Sequence, residues 1–301
     1  MASKRDFLTL MDCTREEIIA LIERSIEMKN GFNGTKFPRP LEGCSIAVIF
    51  EKASTRTRTS FEVGIYQLGG NAIFMSGQDL QLSRGEPIKD TARVLSRYVD
   101  GIVVRTFGHI IVEELAKWAT IPIINGLTDS YHPCQVLADL MTLHELGVDI
   151  GSMKAAWIGD GNNMANSWIN AANLMGFRLS LACPEGYDPA ETYNTNLVSL
   201  VREPVEAAKD ADVISTDVWA SMGQESQADM RRLDFQRYQV NMELLKVAKQ
   251  DVHVLHCLPA HREEEITDEV IESRHSRIWD QAENRLHVQK ALLEFVMSSS
   301  G

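Results

Sequence analysis

The first periodic signal in the chain is a helical stripe. Ile18, Ile19, Leu21, Ile22 and Ile26 recur at the three- and four-residue spacing of one helix face. Thr14 and Glu17 stand three apart ahead of it, the spacing of a capping box, and Gly31 marks its end. The rhythm then changes. Apolar runs of four to six residues, at 45–50, 71–75, 101–105, 121–125, 155–159, 179–183, 213–216 and 252–257, alternate with amphipathic stretches of ten to fifteen. Runs that are apolar without alternation belong to strands buried on both faces. Strands that alternate with helices make right-handed crossovers, and therefore parallel sheets.

Eight such strands could close one barrel or form two open sheets. Residues 133–147 make one long helix after the fourth run, and Gly147 to Ser152 supply a polar break. That favours two sheets; a length of 301 residues allows one large or two medium domains, because single cores stop growing near ~250–300 residues. The expected fold is α/β: two doubly wound parallel-sheet domains, residues 1–147 and 148–301, with a cleft between them. A final helix over about 281–297 carries apolar Leu286, Leu292, Leu293, Val296 and Met297. It is expected to pack back on the N-terminal domain.

Charge narrows the class of partner. Lys and Arg number 30 against 42 Asp and Glu, a formal charge of −12. A nucleic acid or an anionic membrane needs a basic face, so neither is expected as a partner. No apolar stretch approaches the ~20 residues of a membrane helix, and the opening residues lack the apolar core of a signal peptide. Cys13, Cys44, Cys134, Cys183 and Cys257 are odd in number and far apart, which reads as reduced thiols in a cytoplasmic protein.

In open parallel sheets ligands bind beyond the carboxyl ends of the strands, so the residues just past each apolar run are the candidates. The first run leads into Ser54, Thr55, Arg56, Thr57, Arg58, Thr59 and Ser60, then a helix. A helix start offers free N–H groups and the positive end of its dipole, and arginine adds a fork that matches phosphate. A simple polar cap would explain one hydroxyl, but not five hydroxyls with two guanidiniums. Arg105 ends the third run; taken alone, it could be a snorkelling surface arginine. Beyond the fourth run lies His132-Pro133-Cys134-Gln135, where Pro133 suits a first helical turn and His132 and Gln135 can point the same way.

In the second half, Gly159-Asp160-Gly161 invites a dinucleotide reading, but Met164 occupies the third glycine's place. Asn162 and Asn163 are better read as amides facing a ligand. Asp217 at a strand end suits a ligand ammonium, and Cys257 puts a thiol at the end of the last strand. His253, His256, Cys257 and His261 match no usual zinc spacing, and in a strand His256 would face away from His253 and Cys257. No metal site is expected.

The Ser-Thr-Arg-Thr-Arg run, the His-Pro-x-Gln turn, Asp-x-x-x-Ser-Met-Gly from Asp217 and His-Cys-Leu-Pro from His256, in this order, resemble the aspartate/ornithine carbamoyltransferase superfamily. The last two motifs resemble its ornithine branch, and the likeness runs from Phe7 to the final helix. The resemblance implies that Ser54, Thr55, Arg56 and Thr57 hold the phosphate of carbamoyl phosphate. By the same resemblance Arg105, His132, Gln135 and Arg285 hold the carbamoyl end, and Gln81 reaches into a neighbouring subunit. Asn162, Asn163, Asp217, Ser221 and Met222 would bind L-ornithine, and Cys257 and Leu258 would touch both ligands. It further implies a homotrimer, no metal and no organic cofactor. One departure is Glu263-Glu264-Glu265, where the family often has Gly-Glu-Glu.

Chemically, the expected reaction moves a carbamoyl group to the side-chain amine of ornithine, giving citrulline and phosphate in arginine biosynthesis. The catalytic set would be Arg56, Arg105, His132 and Cys257, the thiol taking the proton that a protonated amine must lose. Motion near 147–152 and 221–223 would exclude water. Rivals are a sister carbamoyltransferase using putrescine or acetylornithine, a nicotinamide-dependent dehydrogenase, and a binding module that has lost catalysis.

Overall fold

The computed structural model describes residues 4–31, 38–77, 85–220 and 225–298. The chain divides into two compact units, Met1–Met141 with Glu283–Gly301, and Thr142–Ala282.

The first unit is built on four parallel strands, β1 (Ser45–Phe50), β2 (Asn71–Ser76), β3 (Gly101–Arg105) and β4 (Ile123–Leu127), in the order β2-β1-β3-β4. Its helices are α1 (Arg15–Gly31), α2 (Thr55–Gln67), α3 (Ile88–Leu95), α4 (His109–Trp118) and the start of α5 (Pro133–Glu145). The capping box before α1 forms as its spacing predicts: Glu17 N–H donates to Thr14 Oγ1 and Thr14 N–H to the Glu17 carboxylate, at 3.3 and 2.8 Å. Strand β4 starts two residues later than the apolar run from 121. Its pairing with β3 slips at Gly126, so that Val104 faces Asn125 but Arg105 faces Leu127.

The second unit has five parallel strands, β5 (Lys154–Ile158), β6 (Arg178–Ala182), β7 (Val198–Val201), β8 (Val213–Thr216) and β9 (His253–His256), in the order β7-β6-β5-β8-β9. Between them run α6 (Asn163–Met175), α7 (Pro204–Ala208), α8 (Ala228–Phe235) and α9 (Met242–Leu245), with α10 (Asp268–Ile271) after β9. Strand β7 has no counterpart among the eight runs. It is a short edge strand with one buried residue, so it lacks the apolar run that betrays a central strand.

The last helix, α11 (Ile278–Ser298), begins three residues before its expected start. From Glu283 onward it belongs to the first unit, as its apolar positions require. Arg24 of α1 forks onto the Glu294 carboxylate at 2.7 and 2.9 Å. Val288, Ala291, Leu292, Leu293 and Val296 are buried.

Both sheets are doubly wound, and each has one place where the strand order reverses. In the first unit it lies between β1 and β3, in the second between β5 and β8. Crossovers leave in opposite directions there, so the loops part and expose helix starts. Of the residues singled out by chemistry, Ser54 to Thr57 follow β1, Arg105 ends β3, Asn162 and Asn163 follow β5 and Asp217 follows β8, while His132 and Cys257 come after β4 and β9.

Candidate active site

In the first unit, Ser54 caps α2: its hydroxyl accepts from Thr57 N–H at 3.2 Å. That bond fixes the first turn and brings Thr57 inward, where it is fully buried. Its Oγ1 accepts from Arg285 Nη2 at 2.6 Å and from Arg105 Nη1 at 3.4 Å. Arg105 and Arg285 are 8% and 3% exposed, so two guanidiniums meet on one hydroxyl in a nearly dry place. Thr55 begins the helix exposed, and Arg56 is half-buried.

His132, buried just before α5, reports the local potential. Its burial, followed by the charges of Arg285, Arg105 and Arg56, holds its pKa well below the ordinary imidazole value. The ring is therefore neutral at physiological pH, so one of its nitrogens carries the single N–H and donates while the other can only accept. Gln135 is fully buried on the first turn of α5, its amide donating to Asp139 at 3.0 Å. Cys134 beside it is buried and donates to the Asn125 carbonyl; burial pushes its pKa up to about 12, so it stays a thiol. A cavity of about 630 Å³ adjoins the α2 start, lined by Lys52, Ser54, Thr55 and Arg58 among others. Buried Lys52 pairs with Asp129 and lies over the Phe107 ring at 4.4 Å.

In the second unit, Asn162 caps α6, its Oδ1 accepting from Met164 N–H at 2.9 Å and Ala165 N–H at 3.3 Å. Its amide group donates to Asp217 Oδ2 at 2.9 Å. The side chain is thus engaged at both ends. Asn163 is the first residue of α6. Asp217 Oδ1 accepts from Val218 N–H at 2.8 Å and from the Cys257 thiol at 3.0 Å. An amide, a carboxylate and a thiol, far apart in sequence, therefore form one chain of hydrogen bonds. Gln81, Ser221 and Met222 lie outside the described residues.

Next to that chain is a buried ion pair which sequence reasoning missed. Arg231 of α8 donates to Asp160 Oδ2 at 2.9 Å and to the Trp219 carbonyl at 2.7 Å, and lies over the Tyr187 ring. Burial raises the Asp160 pKa, Arg231 opposes that, and the Asp217 charge adds to it. No local pattern pairs residues so distant in sequence.

The second unit's strand order alone would suit a dinucleotide. Gly161 argues otherwise. A Cβ there would lie 2.3 Å from Pro189 N and 2.5 Å from the Tyr187 carbonyl, and Gly161 N–H already donates to that carbonyl at 2.9 Å. The space that a glycine leaves open for a pyrophosphate is filled by this chain's own backbone.

Among the described residues, Asp217, His256 and Cys257 bring possible metal-ligand atoms within 4.8 Å of one another, as do His261, Glu264 and Glu265. Both ring nitrogens of His256 are engaged, Nδ1 by Leu258 N–H at 2.9 Å and Nε2 by Glu265 at 3.0 Å. A metal would have to displace one of these.

The family model described as the carbamoyl-P binding domain of aspartate/ornithine carbamoyltransferase matches residues 5–145, and the one described as its Asp/Orn binding domain matches residues 152–296. Ornithine carbamoyltransferase of Geobacter metallireducens is 53% identical over 296 residues, covering 96% of this chain and 98% of that protein. The anabolic ornithine carbamoyltransferase of Pseudomonas aeruginosa is 52% identical, covering 98% of each. Among solved structures, ornithine carbamoyltransferase from Pyrococcus furiosus superposes with a TM-score of 0.90 at 51% identity, covering 98% of both chains. With models matched across both halves and full-length relatives above half identity, the chain belongs to the aspartate/ornithine carbamoyltransferase family.

Proposed function

We propose that the protein transfers the carbamoyl group of carbamoyl phosphate to the side-chain amine of L-ornithine, releasing L-citrulline and phosphate. The observation that carries this is the Thr57 hydroxyl shared by Arg105 and Arg285 beside a neutral imidazole. A dianionic donor fits that cationic pocket. Its phosphate sits on the α2 start, Ser54, Thr55 and Arg56, and its carbamoyl oxygen faces Arg105, Arg285, His132 and Gln135.

Ornithine's side-chain amine has a free pKa near ~10.4, so it arrives protonated. In the proposed mechanism its proton passes to the Cys257–Asp217 pair, and the freed nitrogen attacks the carbamoyl carbon. A C–N bond forms, charge collects on the carbonyl oxygen, and the C–O bond to phosphate then breaks with its electron pair, the departing phosphate taking the second proton that the attacking nitrogen sheds. Donors aimed at such an oxyanion are typically worth ~3–4 kcal/mol each. Leu258 lies beside the reacting groups, and Asn163, Ser221 and Met222 complete the amino-acid end.

Asp217, tied to Asn162, favours an acceptor carrying an ammonium group. That speaks against acetylornithine, whose α-nitrogen is uncharged. Putrescine carries a second ammonium but no carboxylate for an amide to hold. Formation of the ureido product of each acceptor from carbamoyl phosphate, with ornithine, putrescine, acetylornithine and aspartate compared, is the test. Ornithine should give the highest kcat/KM, and any other acceptor outranking it rejects the assignment. Arg56→Gly should abolish turnover with the fold intact.

The same reading makes the protein a cytoplasmic homotrimer working toward arginine, with Gln81 serving a neighbour's site. A solution mass of three times 33.7 kDa is expected from light scattering. Among the described residues no helix is long and apolar enough to cross a membrane.

A further inference from the structure

We propose that His256 and Glu265 form a buried positioning couple that sets where the Cys257 thiol and the Leu258 backbone lie. The two side chains are 0% exposed, and His256 Nε2 stands 3.0 Å from Glu265 Oε1. On the other side of the ring, Leu258 N–H donates to Nδ1 at 2.9 Å. A backbone N–H can only donate, so Nδ1 carries the lone pair. The ring proton is then on Nε2, donated to the Glu265 carboxylate. Glu265 Oε1 also accepts from His261 N–H at 2.6 Å, and His256 N–H donates to Gln281 Oε1 at 3.0 Å.

The consequence falls on the next two residues of the chain. Leu258 has φ +58°, the left-handed region that a leucine rarely adopts. Such a conformation persists only where its surroundings over-determine it. At Leu258 the imidazole supplies that constraint, because His256 bonds the backbone N–H two residues on. Cys257 is therefore bracketed: the N–H before it is tied to Gln281, the N–H after it to the His256 ring, and its own thiol to Asp217. On the proposed reading Cys257 and Leu258 touch the substrates, and His256, both of whose ring nitrogens are engaged, acts through them.

The inference rests on the proposed transfer reaction, and its test separates the two. His256→Asn keeps an oxygen where Nδ1 accepts from Leu258; His256→Gln keeps an N–H directed at Glu265 but leaves Leu258 N–H unanswered. The readouts are kcat and KM for ornithine, inhibition by inorganic phosphate as a probe of the donor site, and the rate of Cys257 alkylation by iodoacetamide. The Asn variant, which keeps the Leu258 bond but loses the one to Glu265, is expected to fall about tenfold in kcat/KM for ornithine. The Gln variant should fall by about 10²-fold, the scale of a misplacement near 1 Å. Phosphate inhibition should be unchanged in both, and Cys257 alkylation should change only in the Gln variant.

Equal losses in the two variants, or a Gln variant with wild-type kinetics and alkylation, overturn the couple. If wild-type enzyme forms no citrulline, the transfer reading fails by itself, and the alkylation comparison still decides the positioning role. Should His256→Gln not fold, the comparison passes to Glu265. Glu265→Gln, which still accepts from the ring, should then exceed Glu265→Leu at least tenfold in kcat/KM; parity overturns the couple.

Discussion

Replacing Arg231 by methionine removes a guanidinium while keeping an apolar stem of similar length. The partner left behind is Asp160, and the side chains of the pair are 8% and 9% exposed. Removing one member of a buried ion pair costs about 3–5 kcal/mol, because the other charge stays buried without compensation. The Trp219 carbonyl loses a donor at 2.7 Å, worth about 1 kcal/mol. The Tyr187 ring loses a cation 4.9 Å away, worth roughly 0.5–1 kcal/mol.

Asp160 can relieve part of this by taking up a proton. Burial and the Asp217 charge both push its pKa up, and Arg231 is what opposes them. The net expectation is a loss of about 4 kcal/mol near pH 7.5. These shifts also set the sign of the pH dependence. A carboxyl whose folded pKa lies above its unfolded value binds more protons folded than unfolded, so stability falls as pH rises through that window. The variant should therefore recover toward wild type on acidification from neutral pH, by at most about 1.4 kcal/mol per pH unit. Urea unfolding of wild type, Arg231→Met, Asp160→Asn and the double variant at two pH values measures it, with an expected coupling above about 2 kcal/mol. A loss under about 1 kcal/mol, or one that grows as pH is lowered, refutes the reasoning.

Three more expectations are independent of the first. Glu263 has φ +67°, where a Cβ is strained. Glu263→Gly should be more stable than Glu263→Ala by about 1 kcal/mol in urea unfolding, and the reverse order would remove the strain argument. Burial and the neighbouring Lys290 and Lys29 charges lower the His287 pKa from 6.5 to about 4. The unfolded chain then binds its proton first, and stability drops as pH falls below about 6.5. At about 1.4 kcal/mol per unit the loss reaches about 3 kcal/mol by pH 4. His287→Gln should flatten that limb in pH-resolved unfolding; an unchanged limb assigns it elsewhere. Thr57→Val keeps the shape but leaves the guanidiniums of Arg105 and Arg285 without their shared oxygen. It should lower kcat about 10²-fold in the citrulline assay, whereas a kcat within threefold would remove the hydroxyl from the mechanism.

Sequence alone settled the local features. Buried parallel strands announce themselves as unbroken apolar runs, the Thr14–Glu17 box starts α1, and the Ser54 turn shows itself by its density of hydroxyls and guanidiniums. The motifs around His132, Asp217 and Cys257 carried the family resemblance. Tertiary structure decided everything that depends on pairing. Strand order, which puts the hydroxyl turn beside Arg105 and the Asn162 loop beside Asp217, leaves no trace in periodicity, because period reports burial and not neighbours. Edge strand β7 escaped because a half-buried edge needs no continuous apolar run. The pairing of Asp160 with Arg231, and of His256 with Glu265 through a left-handed Leu258, is fixed only when distant loops close. The same holds for the hydroxyl of Thr57, where Arg105 arrives from a strand end and Arg285 from the last helix. Propensity acts within a few residues, whereas a buried charge chooses whichever partner the packed chain brings within hydrogen-bond reach.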